Sequence, residues 1–240
     1  MFIKWIFKNH LNIFNYFFKC LLISFVVSLI SGSASALFLS LLHFVEHLRW
    51  DNNWLFYFLP IGGGLIGWYY FYWGKDVVKG NNLIIAEYHA PKKIIPFKMA
   101  PMILLGTLLT HLFGGSAGRE GTAVQMSGAL ADQLNKWLKW SANDRKIILL
   151  IAVSAGFSSV FGTPLAGAIF ALEIMIFKGN IKYDAIFPAF VTGFFADYIC
   201  RLWGIEHTHY FISEVPVLDW MNVLWCILLG LFFGWGAYGF

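Results

Sequence analysis

A glycine-rich run in the middle of the chain, from Gly114 to Thr122, holds the residues best suited to chemistry. It places the charged pair Arg119 and Glu120 between two long apolar segments. A charged group at membrane depth is costly, so its presence there indicates a function. The glycines let the backbone leave helical geometry and approach a ligand closely. If a helix begins near Gly121, its free N–H groups point at whatever lies beside Glu120, which predicts an anion site with a titratable carboxylate as a rival ligand.

The composition indicates that this run belongs to a membrane protein. Of the 240 residues, 59% are hydrophobic and only 12% are charged, whereas about a quarter of an average soluble domain is charged. Lys4, Lys8 and Lys19 precede or open the first long apolar segment, which predicts a cytoplasmic N-terminus by the positive-inside rule. No set of His, Cys, Asp or Glu shows metal-ligand spacing, and no activated Ser or Cys pairs with a base. We therefore expect neither a metal site nor an enzyme.

The apolar segments that must position Glu120 are short and interrupted. Residues 97–113 are barely long enough to span a bilayer, and residues 145–161 and 164–178 are separated by a break at 162–164. Short hydrophobic segments interrupted by glycine or proline are typical of transporters whose broken helices surround a site at the midplane. The pattern therefore predicts a channel or a transporter. The alternative is a membrane bundle with incidental glycines.

Two segments near the N-terminus and one polar residue complete the predicted elements. Residues 1–18 mix lysines with aromatic residues, which predicts a helix lying in the membrane interface. A long helix is expected to follow, and its small-residue run from Ser28 to Ala36 favours close contact with another helix. Ser141 is suited to cap the helix that begins after it.

Three stretches of the sequence resemble one known family. Gly118 to Thr122 (GREGT) resembles the G-K/R-E-G-P motif of the CLC chloride channels and proton-coupled antiporters. Residues 154–173 (SAGFSSVFGTPLAGAIFALE) are similar to the helix pair in which this family carries a PLAG segment ending in glutamate. Residues 80–84 (GNNLI) fall where the family carries G-S-G-I-P. The order and spacing of the three motifs make chance similarity improbable.

The resemblance implies a fold, a site and a set of partners. The fold is an all-α integral membrane protein, a CLC-type bundle of tilted and broken helices that contains the first inverted repeat and the start of the second. Glu120 corresponds to the gating glutamate, which competes with the anion and swings away when it is protonated or displaced. The implied partners are fluoride or chloride, protons, the lipid bilayer and a second copy in a homodimer, with no cofactor and no nucleic acid. The implied location is a multi-pass position in the bacterial inner membrane. The residues implied to bind the anion are Gly80, Asn81, Gly118, Arg119, Gly121 and Thr122.

Three departures from the family pattern favour fluoride over chloride. Asn81 stands where the family has its anion-coordinating serine, Ile84 replaces the proline of that motif, and Thr122 replaces the proline of the glutamate motif. The fluoride-exporting branch is known for losing this serine and this proline. An asparagine can offer an N–H donor where serine offers O–H. The lead hypothesis is therefore fluoride transport coupled to protons through Glu120.

Each of these assignments has an alternative. Glu120 could be a structural partner of Arg119, for which we favour a structural or pore-potential role, and Asn81 could merely cap the short helix that follows. Glu173, interpreted as a buried acid, is equally compatible with a proton path and a structural role. His111 could shuttle protons, although a histidine satisfied at a helix end is the commoner case. Glu87 and His89 are interpreted as the wet end of their short helix.

The resemblance covers only the first half of the family's length. It extends from Lys19 to Arg201, so we assign residues 1–18 to the interfacial helix, 19–205 to the first repeat with half of the anion site, and 206–240 to a connecting loop and the first helix of an incomplete second repeat. A truncated reading frame, an incomplete gene or a half-length homologue would explain this. Two other functions stay open: a passive chloride channel, and a nontransporting remnant or assembly partner.

Overall fold

The computed structural model describes residues 2–138, 140–176, 183–207, 211 and 213–239, with side chains from Phe17 onward except those of Ile176 and Tyr183. Within these ranges the protein is helical and contains no strand. The helices are α1 Phe2–Asp51, a short 3-10 helix Asn53–Phe58, α2 Leu59–Trp73, α3 Asn81–His89, α4 Met99–Leu112, α5 Arg119–Asp132, α6 Leu134–Leu138, α7 Ala142–Phe161, α8 Pro164–Ile176, α9 Tyr183–Leu202 and α10 Trp220–Gly239.

The chain divides into two compact units, residues 1–206 and 207–240. Among the residues that the structure describes, three helical stretches are long and apolar enough to cross a membrane: Phe17–Asp51 and Asp184–Leu202 in the first unit, and Trp220–Gly239 in the second. The helix α1 is continuous from Phe2 to Asp51. The segment 1–18, predicted as a separate interfacial helix, is therefore the beginning of the same helix as the long span. The assignment of the two units to the first and second repeats stays a prediction.

The core of the first unit is built around α7. This helix packs against α1, α5, α8 and α9, and every residue from Ile148 to Gly156 is buried. A helix that is apolar on all sides must be covered on all sides, which explains its central position. Its start and end match the sequence: the Ser141 hydroxyl accepts a hydrogen bond from Asp144 N–H (3.2 Å), confirming the predicted cap, and Gly162 ends the helix in the left-handed conformation (φ 68°).

Small residues let α1, α7 and α9 approach closely, as the run from Ser28 to Ala36 predicts. A Cβ atom on Gly32 would lie 2.7 Å from the carbonyl oxygen of Ala196, so only glycine fits at this crossing of α1 and α9. The Ser28 hydroxyl donates to the carbonyl of Thr192 (3.0 Å), and the hydroxyl of Ser159 in α7 donates to that of Ser35 (2.7 Å). Backbone contact and interhelical hydrogen bonds of this kind stabilise helix packing where lipid supplies no hydrophobic drive.

The C-terminal ends of α3 and α5 are tied together by a buried ion network around Arg145. Its guanidinium donates to both carboxylate oxygens of Asp132 (2.8 Å each) and to Glu87 Oε2 (2.9 Å). The exposed fractions are 5% for Arg145, 0% for Asp132 and 8% for Glu87. The interpretation of Glu87 as the wet end of α3 was therefore wrong: its charge is buried because a cation from α7 meets it there.

Backbone groups of the loop between α3 and α4 complete this network. Glu87 Oε2 accepts the N–H groups of Lys92 and Lys93 (2.8 and 3.1 Å), and Asp132 Oδ2 accepts that of Ile95 (2.7 Å). Burial acts to raise the pKa of Glu87, but these hydrogen bonds and the one from Arg145 outweigh it and lower the pKa below its ordinary value. Both carboxylates are held by several internal partners, so this end of the helices is a structural anchor.

Candidate functional site

The helix α5 begins at Arg119, two residues before the predicted start, with Gly118 as its N-cap in an extended conformation (φ −68°, ψ 137°). No side chain caps it, so the N–H groups of its first turn have no partner in the helix. Glu120 lies in this first turn. Its side chain is exposed, and it forms no hydrogen bond or ion pair with any residue that the structure describes. A free carboxylate at a helix N-terminus is in the position of an anionic ligand.

Arg119 pairs with Glu46 of α1 rather than with its neighbour Glu120. Its Nη2 atom lies 2.9 Å from Glu46 Oε1, and the pair is partly exposed, at 44% and 29% of the two side chains. The alternative in which Glu120 is a structural partner of Arg119 was therefore wrong. The favoured structural role of Arg119 agrees with this contact, which joins the start of α5 to the end of α1 and leaves Glu120 unpaired.

The helix α3 begins at Asn81, and its N-cap is Gly80 in a positive-φ conformation (φ 55°) that favours glycine. No side chain accepts a capping hydrogen bond here, so the alternative in which Asn81 caps the helix was wrong. The Oδ1 atom of Asn81 is buried and has no hydrogen-bond partner. This oxygen is an acceptor and cannot bind an anion, so the group that Asn81 offers to an anion is its Nδ2 donor.

The first turns of α3 and α5 meet at Gly121. A Cβ atom on Gly121 would lie 3.8 Å from Asn81 Nδ2 and 3.6 Å from Nε2 of Gln125. The same Gln125 Nε2 would lie 3.2 Å from a Cβ atom on Gly80. Two side-chain amides thus converge on the glycines that begin the two helices. Amide N–H groups are hydrogen-bond donors with no net charge, which suits an anion that must bind and leave again.

Gln125 is a site residue that the sequence analysis missed. It lies four residues after Gly121, so it occupies the same face of α5 one turn later, and that spacing could have identified it. Glu46 was also missed, and no sequence signal pointed to it, because 73 positions separate it from Arg119. Only the packing of α1 against α5 brings the two together.

An open cavity of about 320 Å³ adjoins this meeting point. Polar groups line it at Tyr70, Thr110 and Gln125, and the backbone at Gly80 and Ala117 forms part of its wall. The remaining wall comes from α2, α4 and the loop before α3 and is mostly apolar, with Thr107 as a further polar residue. The amide of Gln125 therefore lies between the cavity and the glycines that begin the two helices.

Thr122 does not face the anion site through its side chain. Its hydroxyl lies 2.6 Å from that of Thr107 in α4, and the residue is buried, with only 1% of its surface exposed. Its hydroxyl is therefore directed at α4, and the prediction that Thr122 contributes to anion binding stays a prediction. The physical reason for this direction is helical periodicity, because position 122 points at α4 whereas positions 121 and 125 share the face towards α3.

The two predicted proton-path residues lie in different surroundings. Glu173 is exposed on α8, so its interpretation as a buried acid was wrong, and no hydrogen bond or ion pair joins it to Glu120 within the described residues. His111 lies at the end of α4, with Nδ1 3.4 Å from Glu46 Oε1 and Nε2 3.1 Å from the carbonyl oxygen of Ala117. Both ring nitrogens thus have partners, as the commoner interpretation of a satisfied histidine at a helix end predicts.

Comparison with known proteins gives consistent results. The family model described as voltage gated chloride channel matches residues 62–240. A chloride/fluoride channel protein of Pseudomonas syringae pv. tomato is 48% identical over 226 residues, which are 94% of this chain and 50% of that protein. An H(+)/Cl(-) exchange transporter of Salmonella paratyphi B is 31% identical over 145 residues, which are 58% of this chain and 29% of that one.

Two solved structures share the arrangement of helices. A CLC-type fluoride/proton antiporter superposes with a TM-score of 0.82 at 32% identity, covering 91% of this chain and 55% of that one. A slow cyanobacterial Cl−/H+ antiporter superposes with a TM-score of 0.74 at 22% identity, over 92% of this chain and 55% of the other, and shows the fold alone. The chain spans about half the length of the proteins that it matches most fully.

Proposed function

The chain belongs to the voltage-gated chloride channel (CLC) family, and on that premise we propose that it carries half of an anion pore with Glu120 as its gate. The predicted resemblance to this family and to its fluoride branch is confirmed, as is the all-α membrane fold with its broken helices. The activity of a whole transporter is a further step, since the chain spans about half of its relatives.

The observation that carries the proposal is the meeting of two helix N-termini beside an unpaired carboxylate. The free N–H groups of α3 and α5, with the amides of Asn81 and Gln125, supply donors for an anion. Glu120 lies in the first turn of α5 without a partner among the described residues. A carboxylate there can occupy the site itself, give way to the anion, and carry a proton when it leaves.

Fluoride is the proposed anion, and protons are the proposed coupled ion. Fluoride is small and strongly hydrated, so a site for it must replace lost water with strong hydrogen-bond donors. Asn81 supports this choice, since its Nδ2 group is a hydrogen-bond donor beside Gly121 at the start of α3 and its side chain makes no cap. The relatives named as a chloride/fluoride channel protein and as a fluoride/proton antiporter support it as well. Transport through such a pore needs no enzymatic step, and we propose none.

The proposal extends to the setting of the pore. We place the protein in the bacterial inner membrane with a cytoplasmic N-terminus, because Lys4, Lys8 and Lys19 cluster there. We also propose a homodimer, with each copy holding its own pore, by analogy with the family. A passive chloride channel is the competing proposal, and it differs in one measurable way: its anion flux moves no protons.

The experiment is reconstitution in liposomes loaded with fluoride or chloride. The purified chain is tested alone and together with the half of the Pseudomonas syringae relative that it does not match, while anion release and proton uptake are recorded. We expect fluoride release in preference to chloride, with protons moving in the opposite direction. Equal chloride release would contradict the choice of fluoride, and anion release without proton movement would support the passive channel.

Glu120→Gln tests the gate in the same liposomes. A glutamine cannot exchange a proton, so we expect anion movement to continue and proton movement to fall to the level of empty liposomes. Glu214→Gln is the matched control, since Glu214 is an exposed acid far along the chain from the site, and it should leave both fluxes unchanged. Proton coupling that survives Glu120→Gln would remove Glu120 from its proposed role.

A further inference from the structure

Two histidines stand one turn apart near the C-terminal end of α1. His43 and His47 are both exposed, and their Nε2 atoms lie 3.0 Å from each other. Histidines at positions i and i+4 share one face of a helix, and pairs with this spacing are recurrent zinc ligands. With Glu46 between them the sequence reads H-x-x-E-H, which is also the order found in one class of zinc peptidases.

The distance between the two nitrogens fits a shared metal ion. Zinc–imidazole bonds are about 2.0–2.1 Å long, so two nitrogens on one ion lie about 2.9 Å apart at a right angle and about 3.3 Å apart at the tetrahedral angle. The observed 3.0 Å lies within this range. The same atoms on two rings can otherwise share one hydrogen bond, in which one ring donates and the other accepts.

The pair is also accessible to ions from water. The span Phe17–Asp51 has 35 residues, which is about 52 Å of helix, whereas the hydrocarbon core of a bilayer is about 30 Å thick. The last turns of α1 can therefore extend into the headgroup region. The polar residues Arg49, Asp51 and Asn52, which follow His47 directly, are consistent with that position.

Glu46 is engaged in other contacts and is not placed to act as the general base of a peptidase. Its carboxylate accepts the guanidinium of Arg119 and faces His111, and no group of three His, Cys, Asp or Glu side chains among the described residues could hold a metal. Two imidazoles and water molecules would complete the coordination. This favours a reversible binding site over a hydrolytic centre.

We propose that His43 and His47 form a bidentate site for a divalent ion of the zinc, copper or nickel class. The sequence analysis predicted no metal site because it overlooked the spacing of this pair. The two imidazoles alone would hold the ion, and Glu46 keeps its ion pair with Arg119.

The test measures Cu²⁺ and Zn²⁺ binding to the purified full chain. Calorimetry with Zn²⁺ and electron paramagnetic resonance with Cu²⁺ should show one site, with two nitrogen ligands in the copper spectrum. His43→Ala, His47→Ala and the double variant should each weaken binding at least tenfold, because a single imidazole loses the chelate.

The control is His111→Ala, which removes a histidine of the same region that does not face the pair, and it should bind the metal as the unmodified chain does. Unchanged helical content by circular dichroism is expected for all variants, since His43 and His47 are exposed. Equal metal affinity in the unmodified chain and the double variant would overturn the proposal. Neither result depends on anion transport, so this test decides the metal-site proposal independently of the proposed transport function.

Discussion

The two ends of α3 and α5 contrast sharply in how their polar groups are used. At the C-terminal ends, Arg145, Asp132 and Glu87 are buried and bonded to one another and to backbone N–H groups. At the N-terminal ends, Glu120 has no partner among the described residues and the Oδ1 atom of Asn81 is buried without one. The same two helices therefore carry a satisfied anchor at one end and an unsatisfied site at the other.

The difference shows how a rigid site can keep its binding capacity free. A ligand site must hold its donors in place, yet any internal partner that fixes a donor also occupies it. Here the positions are fixed from the far end, through the ion network, and by close packing such as that of Ile84 on Gly128. The hydrogen-bond donors near Gly121 therefore need no partner within the protein, and an anion can accept their hydrogen bonds.

Arg145→Met tests the anchor and should have the largest effect. It removes the cation from two buried carboxylates, and an unpaired buried charge costs about 3–5 kcal/mol. We expect the free energy of unfolding, measured by denaturant titration in detergent, to fall by about that amount. The matched control is Lys98→Met, whose ion pair with Asp76 is 2.6 Å long but half exposed, and it should change the same quantity by less than about 1 kcal/mol.

Equal losses of unfolding free energy in Arg145→Met and Lys98→Met would contradict the contrast between the two ends, because the buried network would then stabilise the fold no more than a surface ion pair does. A loss of fluoride binding with no loss of stability would do so as well. It would place the role of Arg145 at the ligand end instead of the anchor.

Asn81→Ala tests the site and should have the opposite profile. A hydrogen bond to a charged ligand contributes about 1.5–3 kcal/mol, so we expect fluoride affinity, measured by calorimetry, to fall about tenfold to a hundredfold. The free energy of unfolding should hardly change, because the lost amide has an oxygen with no partner in the fold. Asn82→Ala is the control, since the neighbouring Asn82 is exposed and should change neither quantity. A large loss of stability without weaker binding would make Asn81 a structural residue.

The sequence predicted the site better than it predicted the anchor. Glycine-rich breaks and the spacing of Gly80 and Glu120 are local signals, and they identified two helix starts and the carboxylate that we propose as the gate. Glu87 was wrongly predicted to be exposed to water, because the sequence around a single acidic residue near a helix end does not indicate which residue it pairs with. That partner, Arg145, lies 58 positions away, and only the packing of α7 brings it close.

A similar limit applies within the site. Thr122 was assigned to the anion by its place in a motif, but a motif carries no side-chain direction, and the helix turns its hydroxyl towards Thr107. Gln125 was overlooked although one helical turn separates it from Gly121, and a helical wheel of α5 places the two on one face. The beginning of α5 was placed two residues too late, at Gly121.

Arg119→Gln probes the ion pair that joins the start of α5 to α1 and should have a small effect on stability. Arg119 belongs to the ligand end, yet it is paired, with Glu46. Because both side chains are partly exposed, we expect the free energy of unfolding to fall by less than about 1 kcal/mol. If Arg119 only positions the start of α5 through Glu46, then Glu46→Gln should change fluoride affinity by the same factor, and the double variant should add nothing further. Additive losses in that cycle would show that Arg119 acts on the anion through its own charge, and the ligand end would then contain a cation as well as neutral donors.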